Sequence, residues 1–235
     1  MRTQMNIFPI IIASFATAGV AAAEQGFFTD GPFFSDGLVD CQLFYDPGTE
    51  CRELSATFAY SKNGLGWEAP IGTITDGASI PIWAQWFIGK PFSEEFEQAS
   101  ILHDHYVRPA HQVRPYLLTQ RMFYDALIDT GVDPIKAGTM YAAVVVAGEG
   151  WTVRADGKKC DLVTNCVRNS QGILDLPSIN RVENSFDEID MESLTREFYE
   201  KIESENWTPE EIEAFALTER IVRGIETPPP VKFVE

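Results

Sequence analysis

The chain has 235 residues, with 18 basic against 35 acidic side chains, a formal net charge of −17 and 45% hydrophobic residues. That field disfavours nucleic acid and anionic lipid surfaces as partners, because both are held by clustered Lys and Arg. The acid is uneven, with a large share between Phe186 and Glu226, which suits solubility and points to no particular chemistry.

The first segment, Met1–Ala23, reads as a signal peptide rather than as part of the fold. Arg2 supplies the positive start, Ile7–Val20 is mostly apolar, and Ala21-Ala22-Ala23 offers small residues for cleavage. The apolar run is short for a membrane span, with an uncleaved anchor as the rival reading. No Cys follows the small residues, which argues against a lipoprotein, and no later segment is apolar enough for stable insertion. The expected location is therefore periplasmic or secreted. Four cysteines agree with an oxidising compartment, and their spacing pairs Cys41 with Cys51 and Cys160 with Cys166 by the shortest loop closures. A zinc site built from all four is the alternative, but no pair has the short gap such sites favour.

About 210 residues remain, enough for one core and an appendage. The spacing divides them into an α+β core at 24–155, a polar disulfide loop at 156–184, and an acidic helical extension with a Pro-rich tail at 185–235. Gln25–Asp40 is Gly- and Phe-rich and reads as irregular. Cys41–Tyr45, Glu53–Tyr60 and Trp67–Thr75 read as strands of a small antiparallel sheet, separated by Asp46-Pro47-Gly48 and by Lys62-Asn63-Gly64.

Three helices follow the sheet. The first is capped by Ser93, carries Glu94 and Glu95 in its first turn and stops before Pro109. A second runs from about Pro115 to Thr130, ending at Gly131. The third opens with Asp133-Pro134 and, apolar nearly all round to Ala147, is expected to be the buried central one. Asp156–Asn180 reads as a long loop. Phe186–Glu205 and Thr208–Arg223 read as acidic amphipathic helices, the second with a Thr208–Glu211 capping box, and packing on the core is the expected outcome.

Chemistry-bearing residues gather in one loop-to-helix unit. Thr75-Asp76-Gly77-Ala78-Ser79-Ile80-Pro81 is followed by Leu102-His103-Asp104-His105-Tyr106. On a helical wheel His103 shares a stripe with Phe96, Ala99 and Tyr106, Asp104 lies about 100° further round, and His105 is nearly opposite His103. Asp76, His103 and Asp104 are therefore the tentative ligand set for a divalent metal with an open position. A bland reading stands beside it: Asp76 and Ser79 as turn and cap residues, His103 as a core histidine, and Asp104 paired with Arg108. A nucleophilic reading would use Ser79 with His103 as base, but the loop lacks the Gly-x-Ser-x-Gly elbow. On the second helix Gln120 is a polar residue on the apolar stripe of Leu117, Tyr124 and Leu127 and needs a partner if buried. Asp125 and Asp129 fall on another face and are expected in solvent. Trp83, Trp86, Phe87 and Phe92 could line a groove, with core packing the alternative.

At these residues the chain resembles the domain of unknown function 1353 family, frequent in phages and prophages. The matching pieces are Thr75–Pro81, His103-Asp104, Phe123 with Ala126-Leu127, and Met140-Tyr141 with Val144 and Gly148, spanning about Leu54–Gly150. The family pattern usually has a tyrosine four residues after its histidine, where this chain has Val107 beside Tyr106, and an Asp where this chain has Gln120. The resemblance implies a small sheet followed by three helices and carries no activity. Its phage association makes an envelope role plausible by association only. The reading that results is an exported, disulfide-bonded protein, expected to be a metal-dependent hydrolase of a cell-envelope polymer such as peptidoglycan, with catalytic candidates Asp76, Ser79, His103 and Asp104. Its partner would be an envelope component or another protein. The alternative is a non-catalytic envelope or phage-associated binding module.

Overall fold

The computed structural model describes residues 24–41, 49–77, 88–89, 93–160, 167–168, 171–182 and 188–225. The described residues up to 77 are built around short antiparallel strands. β1 (Phe27–Phe28), β3 (Phe58–Lys62) and β4 (Leu65–Ala69) form one sheet in the order β1-β3-β4, while β2 (Arg52–Glu53) pairs with β5 (Ile74–Thr75). Alternation sets the faces: Phe58 and Tyr60 on β3 and Trp67 and Ala69 on β4 are buried, and their neighbours turn outward. Asn63 and Gly64 join β3 to β4 with φ of 51° and 73°, the left-handed pair that a two-residue hairpin needs.

Three helices follow this sheet, α1 (Glu94–Val107), α2 (Tyr116–Asp129) and α3 (Pro134–Ala147), with α1 packed against β3, β4 and β5. Their limits follow local chemistry. α1 begins after Ser93, whose side chain makes no capping bond, so the acidic first turn at Glu94, Glu95 and Glu97 is what favours this end. Asp133 accepts from the backbone N–H groups of Ile135 and Lys136, and Pro134 occupies the first turn of α3. α3 is the expected central helix: Ala137 and Met140 join the core beneath the sheet, whereas Tyr141, Val145 and Val146 join a second core formed with α4 (Glu188–Glu205) and α5 (Pro209–Val222). Leu194, Phe198, Ile202 and Ile212 supply the other side of that second core. The Thr208–Glu211 capping box forms, and the acidic helices lie on the core as expected.

Several expectations need correction. Most of the polar stretch 156–180 does not loop freely: β6 (Gly150–Lys159), β7 (Val167–Arg168) and β8 (Leu174–Val182) make a third antiparallel sheet in the order β6-β8-β7. Pro177 argues against a strand, yet it sits opposite Ala155, next to a register shift and beyond the short β7 pairing at Leu174 and Asp175. At that point β8 has no second strand neighbour among the described residues to receive an N–H. Asp129 is not solvated either, and Asp125 is only partly exposed. Asp129 Oδ2 accepts from Gly26 N at 3.0 Å, Tyr60 OH at 2.6 Å and Lys62 Nζ at 3.0 Å, and Asp125 lies 3.8 Å from Lys62 Nζ and Arg121 Nε. The N-terminal segment is thus tied down by β1 and by this carboxylate, not irregular throughout. The close approach at Gly26 requires glycine, since a Cβ there would meet Tyr60 Cε2 at 2.3 Å and Asp129 Oδ2 at 2.5 Å.

Cys41 and Cys51 form the expected disulfide. Cys160 is buried and disulfide-bonded, while Cys166 lies outside the described residues, as do Met1–Ala23 and the Asp46-Pro47-Gly48 turn. No helix among the described residues is long and apolar enough to cross a membrane.

Candidate functional site

Two elements bring the site together. β5 ends at Thr75 and hands the chain to Asp76 and Gly77, and α1 lies across it, presenting Asp104. Thr75 is fully buried, and its hydroxyl is used twice, donating to Asp104 Oδ2 and accepting from Gly77 N at 3.0 Å. Asp76 and Asp104 are both buried and hydrogen-bond each other. Burial pushes the Asp104 carboxyl well above the usual carboxylate range, and the neighbouring Asp76 charge pushes it further. The Thr75 hydroxyl and the Arg108 guanidinium oppose that shift without cancelling it. Two neighbouring buried carboxyl groups do not both ionise cheaply, which favours the protonated form of Asp104. Arg108 does lie near Asp104, as expected, but its Nη2 donates to the carbonyl of Ile74.

His103 points from the adjacent face of α1 toward α2. Its Nε2 is 2.6 Å from Gln120 Oε1, and its ring stacks on Phe123 with centroids 4.5 Å apart. Gln120 therefore finds the partner its apolar surroundings demand, although its Nε2 is buried without a hydrogen bond among the described residues. Burial lowers the His103 pKa to about 4, partly opposed by the Gln120 bond, so the ring is neutral at physiological pH.

His105, on the other side of α1, is buried. Its Nδ1 lies 3.4 Å from Thr73 Oγ1, and its ring stacks on His111 at 4.1 Å. Burial, the His111 ring and Arg108 lower its pKa to about 4. His111 Nδ1 donates to the His105 carbonyl at 3.2 Å, and burial is the main influence lowering its pKa as well. Sequence reasoning missed this pair and the double role of Thr75. The available signal was that the chain's three histidines all fall within residues 103–111.

The structure therefore brings Asp76 to Asp104, and brings His103 to Gln120. Among the described residues no group of three or more His, Cys, Asp or Glu is placed to hold a metal ion, so Asp76, His103 and Asp104 do not assemble as one ligand set. Ser79 and the aromatic residues Trp83, Trp86, Phe87 and Phe92 lie outside the described residues. What the observed arrangement can do is acid–base chemistry, since the charge of one carboxyl favours the protonated form of the other.

The sequence of this stretch of strands and helices is similar to that of known proteins. Residues 52–144, from β2 into α3, match the family model described as "Protein of unknown function (DUF1353)", and this stretch is a domain of that family. The chain is 37% identical over 136 residues to the uncharacterized protein y4iH of Sinorhizobium fredii, covering 57% of this chain and 54% of the relative. It is 38% identical over 149 residues to the uncharacterized protein y4jT of the same organism, covering 61% of this chain and 40% of the relative. The chain thus matches only about half of one relative and two fifths of the other. No solved structure matches it.

Proposed function

We propose that this protein is an exported hydrolase that cleaves an amide linkage of a cell-envelope polymer such as peptidoglycan, with Asp76 and Asp104 as its acid–base pair. The observation that carries the reading is the hydrogen-bonded pair of buried carboxyl groups. Ionised Asp76 takes a proton from a water molecule as the water oxygen adds to the carbonyl carbon, while protonated Asp104 gives its proton to the carbonyl oxygen. In the second half Asp104 regains a proton from a hydroxyl of the adduct, the carbon–nitrogen bond breaks, and Asp76 protonates the departing amine. Asp76 ends ionised and Asp104 protonated, as they began, so the pair completes the cycle unaided. Asp76, His103 and Asp104 are not gathered as one ligand set, so the chemistry is written for the carboxyl pair alone. A substrate outside the cytoplasm is supported by the signal-peptide-like composition of Met1–Ala23 and by the Cys41–Cys51 disulfide.

The test is release of amine and carboxyl ends from purified cell-wall polymer by the wild type and by Asp76→Asn and Asp104→Asn. Each substitution keeps the shape and removes the proton exchange, so turnover should fall at least about 100-fold in each. Variants that turn over as fast as the wild type overturn the assignment. A wild type inert on peptidoglycan and its fragments favours the second reading, a non-catalytic envelope module. That reading draws on the closure of the pair, with Asp76 9% and Asp104 6% exposed.

A further inference from the structure

We propose that Gln120 is a positioning residue that holds His103 as the Nε2–H tautomer, so that Nδ1 is left as a hydrogen-bond acceptor for an N–H or O–H group of the substrate. A carbonyl oxygen accepts only, so the 2.6 Å contact between Gln120 Oε1 and His103 Nε2 puts the ring proton on Nε2. A neutral imidazole has one such proton, and Nδ1 then carries the lone pair. Three restraints keep this arrangement in place. Gln120 is fully buried and cannot turn to water, Phe123 stacks on the imidazole at 4.5 Å, and α1 fixes the ring one residue before Asp104. His103 is only partly buried and makes no second hydrogen bond among the described residues, and Nδ1 is not one of the buried orphan atoms. The unsatisfied atom of this pair is instead Gln120 Nε2. Turning the amide over would aim that nitrogen at the ring, demand the opposite tautomer and leave Oε1 as the buried orphan, so the two orientations differ in a property that can be measured.

The tautomer stands on its own; only the identity of the group that meets Nδ1 rests on the hydrolase reading. The deciding experiment is long-range proton–nitrogen correlation NMR of the 15N-labelled protein near pH 7, for wild type, Gln120→Glu and Gln120→Leu. The expected result is the Nε2–H form for His103 in the wild type, retained in Gln120→Glu, which keeps the acceptor. Gln120→Leu, which removes it, should show a mixture of both forms. An Nδ1–H ring in the wild type, or an unchanged tautomer in Gln120→Leu, overturns the proposal. If Gln120→Leu does not fold, the wild type and Gln120→Glu still decide it. On cell-wall polymer, loss of the orienting partner should lower kcat/KM roughly 10- to 100-fold in Gln120→Leu, with recovery in Gln120→Glu. Unchanged kcat/KM in a folded Gln120→Leu refutes the substrate-facing role. Complete inactivity of the wild type overturns the hydrolase reading and with it that role, while the tautomer is still read directly.

Discussion

Asp104 and the histidines of α1 act on stability in opposite directions over the same pH range. His103 and His105 are held near pKa 4 against 6.5 in an unfolded chain, chiefly by burial. Between those values the unfolded chain binds protons that the folded chain refuses, so stability falls as pH drops from 6.5 toward 4. Asp104 is raised above its ordinary 3.8, so above that value the folded state keeps a proton that the unfolded state has released. Its contribution is lost as pH rises. Asp104→Asn removes this opposing slope and should lose more stability than the wild type between pH 6.5 and 4, in urea titrations at fixed ionic strength. Equal slopes for the two proteins would falsify a protonated Asp104. The sequence made Asp76, His103 and Asp104 visible as a set, because their residue types and loop-to-helix spacing are local properties. It did not show that Asp104 faces β5 while His103 faces α2, since each partner, Thr75 and Gln120, comes from a different element. A wheel gives the angle between two side chains and not the identity of what lies opposite.

At the scale of elements, the end of α3 shows how an acidic chain places one of its few cations inside. Arg220 on α5 is fully buried, and its Nη1 donates to the carbonyls of Val146 and Gly148 at 2.8 Å and of Val145 at 3.3 Å. The Tyr116 hydroxyl donates to the Val144 and Val145 carbonyls at 2.9 Å. Apart from the Val144 carbonyl, which also accepts from Gly148 N at 3.1 Å, these are groups that a helix C-terminus leaves without intrahelical partners, and a cation there is also favoured by the helix dipole. Arg220→Ala would orphan buried carbonyls and open a cavity, and should cost about 3 kcal/mol in equilibrium unfolding. A loss within the roughly 0.5 kcal/mol typical of surface substitutions would refute the capping role. Helix limits were legible because caps, prolines and glycines punctuate them locally, as at Asp133-Pro134 and Thr208-Pro209. The β6-β8-β7 sheet was not. Its strands are polar, carry Gly157 and Pro177, and owe their pairing to each other rather than to their own propensity.

For the whole molecule, the acidic helices complete the core rather than decorate it. Tyr141, Val145 and Val146 on α3 are buried chiefly by Leu194, Phe198, Ile202 and Ile212 on α4 and α5. A chain ending after residue 182 would expose that face of α3 as a contiguous apolar patch. Such a truncation should bind a hydrophobic dye and lose its near-ultraviolet dichroism and sharp thermal transition; a fragment that melts as cooperatively as the full chain would show that the first core suffices. The stretch matched by the family, residues 52–144, ends inside α3, so α4 and α5 themselves lie beyond it although Tyr141 within it packs against them.

Read alone, the sequence determined the α+β class, the three helices after the small sheet, the buried character of α3, the Cys41–Cys51 bridge and the loop-to-helix unit where the chemistry concentrates. Each of these rests on periodicity, capping or short spacing, which act over a few residues and leave a pattern in the chain. Only the tertiary structure decided that Asp76 meets Asp104, that His103 bonds Gln120, that Asp129 receives Gly26, Tyr60 and Lys62, and that residues 150–182 pair as strands. Those contacts join elements distant in sequence, and the protonation of a buried carboxyl depends on which charges packing places beside it.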